Sequence, residues 1–91
     1  MNYKKIQVGN FSRPVKIQFY LSNTTAPMYF EIYNSDMKRI DYSLTSYLSS
    51  LKADTYYIKV YPSGWGNSYS KGTYEIVTTY WNGQVNHDKT T

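Results

Sequence analysis

The chain has 91 residues, enough for one domain of two small packed sheets and too few for a second core. Twelve Tyr stand beside 3 Phe, 2 Trp, 10 Ser, 9 Thr and only two Ala, a composition that favours strands with one wet face and withholds the best helix former. The net charge of +4 is scattered rather than gathered into a basic stripe, and the absence of cysteine excludes a disulfide scaffold, a thiol nucleophile and a zinc-thiolate site.

Along the chain the dominant signal is alternation of period two, which sends successive side chains to opposite faces of a strand. A short strand is expected over 3–8, with Ile6 and Val8 inward, ending at Gly9-Asn10. Pro14 marks the start of the next strand, over 15–21, where Val15, Ile17, Phe19 and Leu21 alternate with Lys16, Gln18 and Tyr20. Met28, Phe30 and Ile32 alternate with Tyr29, Glu31 and Tyr33 and lead into Asn34-Ser35-Asp36, whose side chains can close a turn on their own backbone. The returning strand of that hairpin is expected over 39–44, with Ile40, Tyr42 and Leu44 facing the core. Residues 46–52 fit a short strand or a helical turn, because Leu48 and Leu51 are three apart.

The next strand is the clearest: over 55–61, Tyr56, Ile58 and Val60 share one face and Tyr57, Lys59 and Tyr61 the other, until Pro62 stops it. Residues 62–72 hold three Gly and three Ser together with Trp65 and Tyr69, and read as a long connection. A last long strand is expected over 73–81, with Tyr74, Ile76, Thr78 and Tyr80 inward and Glu75, Val77 and Thr79 outward. The domain is expected to span 1–83, and the polar tail 84–91, which lacks periodicity, to fray. Short strands separated by turn signals, with no internal repeat, read as an all-β antiparallel sandwich or barrel of about 6–8 strands.

The segment Leu51-Lys52-Ala53-Asp54-Thr55-Tyr56-Tyr57-Ile58-Lys59-Val60-Tyr61, followed by Gly72-Thr73-Tyr74-Glu75-Ile76, resembles the end of bacterial pre-peptidase C-terminal domains. That family closes with a Leu, a small-residue turn, a Tyr-rich strand, a Gly/Ser loop and then Gly-x-Tyr. Asp54 stands where the family usually has Gly, a departure Asp accommodates better than most residues. The resemblance implies a jelly-roll-like β-sandwich serving as a non-catalytic appendage of exported bacterial proteins, and hence a secreted location. The collagen-binding domains of clostridial collagenases are similar to this family, and there outward aromatic side chains of the late strands touch the collagen triple helix. The corresponding outward positions here are Tyr57, Lys59 and Tyr61. The acidic calcium site of those relatives is not carried over, because no acidic residue precedes Glu31.

Side-chain chemistry points the same way. The lone histidine, His87, lies in the polar tail and is expected to be exposed and idle, and the six acidic residues are dispersed, so neither a hydrolytic triad nor a carboxylate pair is expected. No cluster has metal-ligand spacing, so no metal or cofactor is expected. What remains is aromatic: Tyr57 and Tyr61 with Lys59 on one strand face, Trp65 and Tyr69 in the adjoining loop, and Tyr20, Tyr29 and Tyr33 on outward faces elsewhere. Outward tyrosines can also simply shield a thin core through cross-strand pairs. As a binding set, they suit an extended protein such as collagen or a polysaccharide, the latter in a carbohydrate- or cell-wall-binding module; a small secreted effector (toxin, inhibitor or antimicrobial) is a third reading. A nucleic-acid reading rests on Lys16, Lys59 and Lys71 and is opposed by the missing basic groove. No apolar run approaches the roughly 20 residues of a membrane span. The lysines Lys4 and Lys5 on the first strand discourage edge pairing, so a monomer is expected.

Overall fold

A computed structural model describes residues 3–62 and 72–89. It contains eight strands: β1 (Tyr3–Val8), β2 (Val15–Ser22), β3 (Met28–Tyr33), β4 (Arg39–Leu44), β5 (Ser46–Leu51), β6 (Asp54–Pro62), β7 (Glu75–Tyr80) and β8 (Val85–Lys89). They form two four-stranded antiparallel sheets, ordered β1-β6-β3-β4 and β5-β2-β7-β8. The expected all-β sandwich is the fold.

Alternation puts Ile6, Val8, Phe30, Ile32, Tyr56, Ile58 and Val60 of the first sheet against Ile17, Phe19, Leu51, Ile76 and Tyr80 of the second, and this single cluster is the core. Each such side chain removed from water contributes about 1.5–3 kcal/mol. Tyr56 keeps its buried hydroxyl satisfied by donating to the Lys52 carbonyl at 3.0 Å. Burial holds that phenol above its usual pKa.

Two hairpins use the same turn. At 34–38 the Met37 N–H donates to the Asn34 carbonyl (3.0 Å), and the Asn34 N–H donates to the Lys38 carbonyl (2.9 Å). At 80–84 the Gly83 N–H donates to the Tyr80 carbonyl (3.0 Å), and the Tyr80 N–H donates to the Gln84 carbonyl (2.9 Å). Both are three-residue loops whose last residue takes a left-handed conformation, Gly83 at φ 96° and Met37 at φ 62°. As expected for the first turn, Asn34 Oδ1 accepts from the backbone N–H groups of Asp36 and Lys38 (2.9 and 3.0 Å).

One open alternative is settled and three expectations change. Residues 46–51 form a strand, because six consecutive residues pair with β2 from Val15↔Leu51 to Tyr20↔Ser46. In β4 only Leu44 packs on the core; Ile40 and Tyr42 are exposed. The cause is two register shifts against β3, which pair Phe30 with Leu44 but Ile32 with Asp41 and Tyr33 with Arg39, with Ser43 at φ 56° inside the first. In β7, Glu75 and Val77 keep the outward face, with Val77 between Tyr20 on β2 and His87 on β8, yet both are buried there because β7 is flanked by β2 on one side and β8 on the other. The last change explains that one: the tail expected to fray supplies β8, which pairs with β7 from Thr79↔Val85 to Glu75↔Lys89. The long connection expected over 62–72 lies, from 63 to 71, outside the described residues.

Candidate ligand-binding face

With Tyr56, Ile58 and Val60 committed to the core, β6 must present Tyr57, Lys59 and Tyr61 on the outer face of the first sheet. The sheet order then decides their neighbours. Tyr57 is flanked by Lys5 on β1 and Tyr33 on β3, Lys59 by Tyr3 and Glu31, and Tyr61 by Tyr29. Trp65 and Tyr69 lie outside the described residues.

The rings are packed together as well as aligned. Tyr3 and Tyr33 meet edge-to-face with centroids 5.1 Å apart, and Tyr29 and Tyr61 are 6.3 Å apart and tilted. Contacts of this kind add about 0.5–1.5 kcal/mol each and hold the rings in place before any ligand arrives. The Tyr61 hydroxyl is 3.4 Å from the Ser43 hydroxyl on β4. Lys59 Nζ lies 5.8 Å from the centre of the Tyr3 ring.

Across the middle of the face runs a polar chain. The Tyr33 hydroxyl donates a short hydrogen bond to Glu31, whose other carboxylate oxygen is 3.4 Å from the Arg39 guanidinium. That hydrogen bond, helped by desolvation, holds the Tyr33 phenol well above its usual pKa. Arg39 in turn sits over the Tyr42 ring, 4.4 Å from its centre. The Glu31 carboxylate is therefore engaged on both oxygens.

Tyr42 is the residue that the periodicity misplaced. The shifted register of β4 carries it from its expected core position to the outer face, 57% exposed, beside Arg39. Tyr3 was legible as outward from the alternation with Ile6 and Val8, but only the pairing of β1 with β6 brings it to Lys59. Six tyrosines thus share this face: Tyr3, Tyr29, Tyr33, Tyr42, Tyr57 and Tyr61. Tyr29 also borders a surface cavity of about 380 Å³ lined by Leu21, Thr24, Pro27, Met28 and Thr45.

The other outer face differs in character. Tyr20 lies there, between Ser46 on β5 and Val77 on β7, as does Lys16, whose ammonium is 6.0 Å from the Trp81 ring. Lys16 and Lys59 therefore stand on opposite faces of the sandwich, and Lys71 is outside the described residues. His87, expected to be idle, has Nδ1 2.5 Å from Glu75 Oε1. This contact, with the positive charge of Lys89, holds the Glu75 carboxyl below its ordinary pKa against the opposing effect of burial. Among the described residues no three His, Cys, Asp or Glu side chains cluster as a metal site would require. No helix there is long and apolar enough to cross a membrane.

Comparison with known proteins found no matching family model, no matching curated protein and no matching solved structure.

Proposed function

We propose that this chain is a non-catalytic binding module of a secreted protein, and that it grips an extended polypeptide of the collagen-like type across the outer face of the first sheet. The observation that carries this reading is the six-tyrosine face, in which Tyr3, Tyr29 and Tyr42 are 40% exposed or more while their neighbours hold them in fixed contacts. Tyrosines bring apolar area with only two side-chain torsions to immobilise, so their binding entropy cost is small. A four-stranded sheet spreads them over a surface long enough for a polymer rather than a small molecule. Polyproline-type chains suit such a surface because their rings stack on aromatics and their solvated carbonyls accept from phenolic hydroxyls. The resemblance of residues 51–76 to pre-peptidase C-terminal domains supports the same class of ligand and an exported setting.

Pull-down with insoluble collagen and with cell-wall polymer tests the reading. The double substitution Tyr57→Ala/Tyr61→Ala is expected to weaken retention on collagen about tenfold or more, as two lost anchors at about 1 kcal/mol each imply. Unchanged retention of the double variant removes the proposed surface. Retention on the cell-wall polymer alone, competed by soluble sugar, moves the ligand to carbohydrate.

A further inference from the structure

On the outer face of the first sheet, β1, β3 and β6 set two lysines, Lys5 and Lys59, beside a single carboxylate, Glu31. Glu31 stands directly across from Lys59 in the β3–β6 ladder, the position from which opposite charges ordinarily form a cross-strand pair. Here no such pair forms. One Glu31 oxygen accepts from the Tyr33 hydroxyl and the other is 3.4 Å from Arg39, while Lys59 lies toward the Tyr3 ring, 5.8 Å from its centre.

No other acidic residue takes the place of Glu31. All six acidic side chains of the chain lie among the described residues, and their ion pairs are Glu31 with Arg39, Asp54 with Lys52 and Glu75 with His87. Lys5 and Lys59 are left without an acidic side chain. The register makes them a pair of their own. Lys5 stands opposite Tyr57 and Lys59 opposite Tyr3, so the two lysines are diagonal neighbours across β1 and β6, about 7–8 Å apart at the backbone. One carboxylate seated between them is within reach of both ammonium groups.

Lys59 is also enclosed along its own strand. Tyr57 and Tyr61 lie two residues to either side, roughly 13 Å from each other, the length of about four residues of a polyproline-type chain. A polypeptide that stacks on both rings must therefore cross Lys59. Lys59 is already half-buried, and covering its unpaired ammonium further costs free energy unless the ligand brings an opposite charge.

We propose that Lys5 and Lys59 form a carboxylate-reading subsite of the tyrosine face, so that the extended polypeptide held there carries an acidic side chain where it crosses β6. The inference rests on the reading of that face as the ligand surface. Charge complementarity selects the occupant: an acidic segment supplies to the two lysines the partner that Glu31 gives to Arg39, whereas a neutral segment buries an ammonium group uncompensated.

Binding of the full chain to two triple-helical peptides of Gly-Pro-Pro repeats, identical except for one central Glu or Gln, tests this. The wild type is expected to bind the Glu peptide at least about fivefold more tightly, with the difference shrinking as sodium chloride is raised. Lys5→Gln/Lys59→Gln is expected to bind the two peptides equally, with unchanged far-ultraviolet circular dichroism. The comparison of the two peptides needs no variant, so the test stands even where the double substitution perturbs folding. Equal binding of both peptides by the wild type overturns the subsite and leaves the collagen-like reading in place. A preference for Glu that survives the double substitution also overturns the subsite. Binding to neither peptide, with or without retention on an anionic polysaccharide such as heparin, overturns the subsite and the collagen-like reading together.

Discussion

Glu75 shows how much a single side chain depends on its neighbours. Alternation assigns it to solvent, yet it is 8% exposed, and it tolerates burial because His87 is 2.5 Å away and Lys89 stands opposite it in the ladder. Its carboxyl is held below the ordinary value, so the stability it contributes is fully present above the unfolded carboxyl pKa of about 4.5 and is lost as pH falls through the lowered folded value. Urea unfolding of wild type and Glu75→Gln between pH 6 and about pH 3 is expected to show the wild-type advantage shrinking only on the acid side of about 4.5. A difference that stays constant across that range would show that the pair with His87 is not coupled to folding.

At the scale of elements, the paired hairpins carry a contrast written in two residues. Gly83 occupies the left-handed position of its loop at no steric cost, and its Cβ position is open space. Met37 occupies the same position of the β3–β4 loop with a full side chain, a conformation that costs an L-residue about 1–2 kcal/mol. Asn34, accepting two backbone hydrogen bonds, helps hold that turn closed. Met37→Gly is therefore expected to stabilise the domain by about 1 kcal/mol, and Gly83→Ala to destabilise it by about the same amount, both read from chemical denaturation midpoints. The opposite signs at equivalent positions are the outcome that matters. The turn at Asn34 was legible because Asx side chains close such turns wherever they occur. The exposure of Ile40 and Tyr42 was not, because a bulge depends on how β3 and β4 settle against each other and leaves no periodic mark in the residues of β4.

For the molecule as a whole, the last strand decides more than its polar sequence suggests. β8 turns β7 from an edge into an interior strand and leaves Val77 only 2% exposed. Deleting residues 84–91 is expected to lower stability by about 2 kcal/mol or more, the burial of one valine side chain alone, with a matching fall in the thermal midpoint. An unchanged midpoint would mean that the tail contributes nothing to the fold. By itself the sequence determined the class of fold, the inward residues of β1, β2, β3 and β6, and the outward placement of Tyr57, Lys59 and Tyr61, because a two-residue period follows from strand geometry at each position. Only the tertiary structure decided that Tyr3, Tyr29 and Tyr33 stand beside them, that Tyr42 joins them and that β8 exists. Those outcomes depend on which strands become neighbours, and pairing is chosen by the packing of two whole sheets rather than by any one segment.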